Sequence, residues 1–509
     1  MALDNNYKMV MRARAWPLVR SLVRFNSNLT TTRNPSAYVL DPTSDVSQFS
    51  KSKLVYHGEL EDGVIPEALK YSYPCNQTTL SNGLLVATEA SHNALAHLCV
   101  VVKAGVRNEN FQVNGIGHFV RKLRFKGTEQ RSKLQLAGDV ENIGGELRIK
   151  AGKEVTEFHI EVPKAYTAKA MEILADVVLS SKFNKNAIEE QKAESSEALF
   201  DTADNKRLIL ENIHYTAYRD HMIGQPIRGN QKSIQNITQD AIKDYIDAHY
   251  IAPRMVLTAT GNVDHKQIAE LGEKYFGKVA KSGREITGDD RPIFTPSTVT
   301  IRDDDVDLAH MGIFFQAPSW NHEDFYAFQM LVRLCGDYVP ERDSIINHAW
   351  LQYNYFHTWF GEIEDFGGHS NHYFPYSNAA IWGHYTQSLD LSAFISPQAC
   401  LCGTKRYTDY IMESELYRAR NRYYNDLLNN TNLGSWSSEI GHELLYAKRR
   451  IPRSEVAKRI SVMGSRHLEK TFAKWLWDCE LAVAMYGPVF MQIRFHSVYR
   501  GYMNGGNVW

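Results

Sequence analysis

Two stretches of this chain recur later in it as diverged copies. Ala96-His97-Leu98-Cys99-Val100-Val101-Val102-Lys103-Ala104 aligns with Ala309-His310-Met311-Gly312-Ile313-Phe314-Phe315-Gln316-Ala317, an offset of 213 (309 − 96). Val256-Leu257-Thr258-Ala259-Thr260-Gly261-Asn262-Val263 aligns with Ala482-Val483-Ala484-Met485-Tyr486-Gly487-Pro488-Val489, an offset of 226 (482 − 256). One apolar strand resembles another by chance, but two similar offsets in the same order point to a duplicated unit. At 509 residues the chain is also longer than one hydrophobic core commonly supports. Two homologous halves are the expected architecture.

Local patterns give the fold class. Thr79 to Val86 reads as strand, turn, strand, with Asn82-Gly83 at the turn. Ala96 to Ala104 is a strand of the buried type. Phe158, Ile160 and Val162 alternate with polar residues, which predicts a half-buried strand. Ala170, Ile173, Leu174, Val177 and Val178 recur at helical spacing and predict an amphipathic helix with one core-facing stripe. The mixture predicts an α+β fold, a mixed or antiparallel sheet with helices on one face. Gly283, Gly288, Asp289, Asp290, Pro292 and Pro296 crowd one stretch, which reads as a linker. The expected partition is a leader at 1–33, an extended arm at 34–74, an N-terminal domain at 75–280, a linker at 281–298 and a C-terminal domain at 299–509.

Charge and composition exclude some functions. The net charge is −1 and the apolar fraction 43%, so the chain lacks the basic footprint of a nucleic-acid binder and has enough apolar residues for a large core. Six scattered cysteines (Cys75, Cys99, Cys335, Cys400, Cys402, Cys479) form no disulfide framework and fit a reducing compartment. No apolar run is long enough to span a bilayer. The leader carries Lys8, Arg12, Arg14, Arg20, Arg24 and Arg33 against one acid, Asp4, with interleaved apolar residues, the composition of a mitochondrial presequence. It is expected to stay on the mature chain.

The informative motif is Gly115-Ile116-Gly117-His118-Phe119-Val120-Arg121-Lys122-Leu123-Arg124-Phe125-Lys126-Gly127-Thr128. It resembles the signature of the pitrilysin-type zinc peptidases, H-x-x-E-H followed closely by F-K-G-T. There, two His at i and i+4 bind zinc and the Glu activates the metal-bound water. Here His118 holds the first position, Arg121 the Glu position and Lys122 the second His position. A protonated Lys has no lone pair for a metal, and Arg is no base at neutral pH. The family's third ligand is a Glu on a later helix. It aligns with Ala198, and the supporting acid with Gln191; a slip of one residue would bring in Glu197 instead. These positions predict a degenerate site, with no catalytic residue, no metal and no cofactor.

The resemblance runs from about Cys75 through the second half, including His249 to Val256 and Tyr446 to Pro452. It is strongest to the branch holding the mitochondrial processing peptidases and the core subunits of the cytochrome bc1 complex. It implies two pitrilysin-type domains enclosing a cavity and an α-type (core-2) partner subunit. It further implies cytochrome b, cytochrome c1 and Rieske subunits in a dimeric bc1 complex, with membrane association through those partners. The α-type partner carries a glycine-rich loop; Gly367-Gly368 and Gly505-Gly506 are only pairs, which favours the β side.

The match is poor at 341–385, an expected insertion rich in aromatics, including Trp350, Tyr353, Tyr355, Phe356, Trp359, Phe360, Phe366, Tyr373, Phe374, Tyr376, Trp382 and Tyr385. It reads equally as a partner-facing surface and as core. His348, His357, His369, His372 and His384 lie there too. His369 and His372 could share a metal, but no third ligand stands at a motif spacing, so isolated histidines are expected. Leu331, the counterpart of His118, supplies no second site. Three functions follow: a core subunit of the bc1 complex, an active processing-peptidase subunit, disfavoured by Arg121 and Lys122, and an inactive subunit that presents presequences.

Overall fold

The computed structural model describes residues 65–198, 204–283, 290–340, 356, 360–361, 363, 366–389, 395–429 and 432–489. The leader, the arm up to residue 64, Gly505-Gly506, His348 and His357, and the aromatics Trp350, Tyr353, Tyr355 and Trp359 lie outside the described residues.

Eleven described strands form two sheets. The first contains β1 (Cys75–Thr79), β2 (Leu85–Ala90), β3 (Leu95–Val102), β4 (Glu146–Ala151), β5 (Thr156–Pro163) and β6 (Met255–Gly261), in the order β1-β2-β6-β3-β5-β4. The second contains β7 (Thr298–Arg302), β8 (Ala309–Gln316), β9 (Phe366–Pro375), β10 (Ala380–Ser388) and β11 (Leu481–Gly487), in the order β7-β11-β8-β10-β9. Each sheet has one parallel pair, β2 with β6 and β7 with β11, and is otherwise antiparallel. The duplication reaches the register. Ala96 pairs with Gly261, and Tyr486 pairs with His310, which sets Gly487 opposite Ala309. Both glycines have positive φ (93° and 108°), and a Cβ on either would strike a carbonyl, Leu95 O at 2.3 Å or Leu308 O at 2.6 Å. Only glycine fits these two equivalent strand ends.

The turn between β1 and β2 is as expected, with Gly83 at φ 93° and Leu80 N bonded to Leu84 O. The apolar stripe at 170–178 lies on the helix Thr167–Leu179, and all five of its residues are buried against the first sheet's core.

Two expectations need correction. Strand β5 is not half-buried, since Glu157 and His159 are buried as well. Nor are residues 366–385 an insertion. They form β9 and β10, the counterparts of β4 and β5. Of the described aromatics between 341 and 385, Phe356, Phe360, Phe366 and Trp382 are buried in the second half's cluster, and Tyr373 and Phe374 are half-buried.

The cause of the first correction is an exchange of helices. The second half's helix Leu433–Tyr446 lies across β3 and β6, where Leu433, Trp436, Ile440 and Leu444 pack on Cys99, Val101 and Val256. The first half's helix Asn205–Ala217 lies across β8 and β11, where Ile209 and Ile213 pack on Phe314, Ala482 and Ala484. Each half thus covers the outer face of the other's sheet. The arm joins in. Its end forms a short helix, Glu67–Lys70, whose Leu69 is buried in the second half's core. Polar contacts tie the halves further: buried Arg450, paired with Glu443 at 2.7 Å in its own half, bonds Glu89 of the first half at 2.6 Å, and Arg107, paired with Glu154 at 2.6 Å, donates to Ser377 Oγ of the second half at 3.0 Å.

Candidate functional site

The motif folds as helix α1 (Ile116–Leu123), which Glu109 caps. Its carboxylate accepts from the N–H groups of Gly115 (2.6 Å) and Gly117 (2.9 Å) and from Asn114 Nδ2 (3.0 Å). The two backbone donors are unpaired groups of a helix start, where an acid is favoured. Burial nevertheless pushes the Glu109 pKa up to about 7. Gly115 sits at φ 90° with Gly229 against it; a Cβ would meet Gly229 N at 2.8 Å.

Ile116, Phe119, Val120 and Leu123 bury one face of α1. His118, Arg121 and Lys122, at i, i+3 and i+4, share the opposite, half-buried face. That face meets α2 (Lys185–Ala198). On α2, Gln191 is buried and donates to Ser195 Oγ at 3.1 Å; Ala198 follows two turns later at the helix end, and Glu197 is exposed. Glu190 and Glu194 pair with Lys126 at 3.4 and 3.1 Å.

The electrostatics are those of a cation cluster. Burial, then Arg121, Lys122, Arg228 and Arg207, push the His118 pKa down to about 3, so the ring is neutral. Burial and then Arg228 lower the Arg121 pKa; burial lowers that of Lys122 against the pull of Glu194. The Arg121 guanidinium donates to Ile149 O at 3.4 Å. This face offers one lone-pair donor, His118, where a catalytic zinc needs three protein ligands, and its cations repel a divalent ion. Zinc chemistry does not fit this donor set. Arg228 had no signal in the sequence. It reaches the site from a distant loop that only the fold brings near.

The rest of the motif builds a corner. Arg124 is fully buried, bonds the carbonyls of Val177 (2.5 Å) and Val178 (2.6 Å), and lies over the Phe158 and Tyr250 rings. Gly127 turns at φ 130°, and Thr128 Oγ1 donates to Asp176 Oδ2 at 2.7 Å. Arg131 binds Asp139 (2.8 Å), Asp176 (2.6 Å) and Glu172.

The suggested His369–His372 pair is not brought together. Three residues apart on one strand they point to opposite faces. His372 bonds Ser370 Oγ (3.0 Å), and His369 meets His384 instead (2.9 Å). Leu331 is core.

Comparison with known proteins agrees with this architecture. Residues 85–231 match the family model described as insulinase (peptidase family M16), and residues 236–366 match that of the peptidase M16 inactive domain. The chain is 29% identical to the mitochondrial-processing peptidase subunit beta of Bos taurus over 432 residues, 83% of this chain and 86% of that protein. It is 27% identical to the probable mitochondrial-processing peptidase subunit beta of Schizosaccharomyces pombe, spanning 81% of this chain and 91% of that one. In structure it matches a chain of "Complex III2 from Candida albicans, Inz-5 bound" (TM-score 0.73, 20% identity, 84% of this chain and 99% of that chain). A protease from Helicobacter pylori has the same fold (TM-score 0.71, 17% identity, 81% and 99%). With two matched M16 domains, a duplicated sheet and a helix in the motif's place, the chain belongs to the M16 peptidase family.

Proposed function

We propose that this chain is a non-catalytic core subunit, of the core-1 type, of ubiquinol–cytochrome c reductase (respiratory complex III). The observation that carries this reading is the α1 face, where Arg121 and Lys122 stand beside His118 in place of a base and a second metal ligand. A peptidase fold with cations there keeps its surfaces and loses its chemistry, so its use is assembly and stability of a larger complex. The Candida albicans complex III chain is a precedent for this fold in that setting. On this reading the chain sits on the matrix side of the mitochondrial inner membrane. Its partners are the core-2 subunit and the cytochrome b, cytochrome c1 and Rieske subunits of a dimeric complex. Among the described residues no helix is long and apolar enough to cross a membrane, so the partners hold it there.

A second reading takes support from the processing-peptidase relatives: an inactive subunit that binds presequences for a separate enzyme. The cation cluster counts against it, because presequences are themselves basic and like charges repel. Native fractionation separates the two. Under the first reading the chain comigrates with haem b and haem c1 after gentle solubilisation. Recovery with soluble matrix protein, apart from haem, would reject it.

A further inference from the structure

Three potential metal donors meet in the core of the second half, away from α1. His369 on β9, His384 on β10 and Cys400 on the helix Ile395–Asp409 are 3%, 1% and 0% exposed. One donor atom from each lies within 4.8 Å of the others. The rings are held from outside. Phe356 stacks on His369 with centroids 5.4 Å apart, Phe360 lies 4.6 Å from the same ring, and Trp382 meets His384 at 4.8 Å.

Hydrogen bonds fix one tautomer. Thr404 Oγ1 donates its proton to Cys400 O at 2.9 Å, so toward His384 Nε2, 3.0 Å away, it can only accept. His384 therefore carries its proton on Nε2, and its Nδ1 lone pair points at His369 Nε2, 2.9 Å distant. An outer hydrogen bond that orients a ring in this way is what metal-bound histidines have.

We propose that His369 Nε2, His384 Nδ1 and Cys400 Sγ bind one copper(I) ion. Two nitrogens bound to one metal at ~2.0 Å stand about 3.3–3.5 Å apart, so the present 2.9 Å needs to open by a few tenths, while the span of the three donor atoms, up to 4.8 Å, needs to close by about 1 Å to bring the sulfur in. Charge selects the ion. Binding releases the Cys400 thiol proton and shifts the His369 ring proton from Nε2 to Nδ1. A monovalent cation, one thiolate and two neutral imidazoles sum to zero, so the ion replaces the thiol proton at no change in buried charge. A divalent ion would leave a positive charge in an apolar core, which is costly. Thiolate and imidazole ligands also suit copper(I). Because the donors are enclosed, the ion enters as the chain folds.

The test is to express the full chain in copper-supplemented cells, purify it without oxygen, and measure metal content and copper X-ray absorption. The expected result is about one copper per chain with a shell of one sulfur and two nitrogens. A colourless copper(I) chelator should remove it only on unfolding. Cys400→Ser and His384→Gln should each lose the copper, whereas Cys402→Ser should keep it. Wild-type protein without copper, copper retained by Cys400→Ser, or zinc bound in its place would each overturn the proposal. If Cys400→Ser does not fold, the wild-type absorption spectrum decides alone: a shell lacking sulfur rejects the site.

Discussion

At residue scale the α1 face turns on the number of lone pairs. His118 supplies one, Arg121 and Lys122 none, and Ala198 ends the opposing helix without a carboxylate. The purified chain should therefore carry no zinc on this face. Arg121→Glu with Lys122→His restores a base and a second ligand but leaves two protein ligands, so zinc should remain far below one per chain. Adding Ala198→Glu should bring zinc to about one per chain, because three ligands and a water complete a catalytic site. Elemental analysis of the two variants checks this; full zinc in the double variant would mean that Glu197 or another acid already serves as the third ligand. This part of the site was legible in the sequence because its ligands are spaced along one helix. Arg228 was not, since its approach to His118 depends on a loop whose path is set by packing.

At the scale of elements, the exchanged helix Leu433–Tyr446 governs the first sheet's outer face. Buried Glu157 accepts from His159 Nε2 (2.8 Å), His442 Nε2 (2.8 Å) and Ser438 Oγ (2.9 Å), the last two from that helix. Burial works to raise its pKa, but the bonds from His159 and His442 win and hold the carboxyl well below the usual range. A depressed carboxylate contributes stability at any pH above its unfolded pKa of about 4.3, and that stability is lost as pH falls below it. Glu157→Gln should cost about 1.5–3 kcal/mol at pH 7 and should flatten the acid limb of unfolding; denaturant melts from pH 7 to pH 3 measure both. An unchanged acid limb would remove Glu157 from the account. The same helix needs a glycine. A Cβ on Gly441 would lie 2.4 Å from Val101 Cγ2. Alanine gains about 1 kcal/mol of helix propensity, but overpacking a close contact costs about 1–3 kcal/mol, so Gly441→Ala should lower stability. A raised melting temperature would show that the helix has room to shift.

At the scale of the whole molecule, neither half covers the outer face of its own sheet. Cys99, Val101 and Val256 are buried only beneath the second half's helix, and Phe314, Ala482 and Ala484 only beneath the first half's. Residues 65–283 expressed alone should expose that face and be recovered largely insoluble; coexpression with residues 290–489 should restore solubility. A soluble, cooperative 65–283 fragment would show that the exchange is dispensable. Membership of complex III makes a separate demand. Burial, not surface charge, holds such a subunit, and 1 M salt shortens the screening length to about 3 Å without weakening burial. Inner membranes washed at that salt should keep the chain, and its release would exclude an apolar interface with complex III.

The sequence by itself determined the duplication, the α+β class, the turn at Asn82-Gly83, the stripe of the helix at 170–178 and the lost lone pairs at Arg121 and Lys122. All of these are properties of residues close together in the chain or of a repeating pattern. Only the tertiary structure decided that Glu157 and His159 are buried, that residues 366–385 are two sheet strands, and that His369 meets His384 and Cys400 rather than His372. The physical reason is the same each time. Alternation along a strand records polarity, while burial depends on what a distant segment lays over it, and here each half's outer face is covered by a helix from the other.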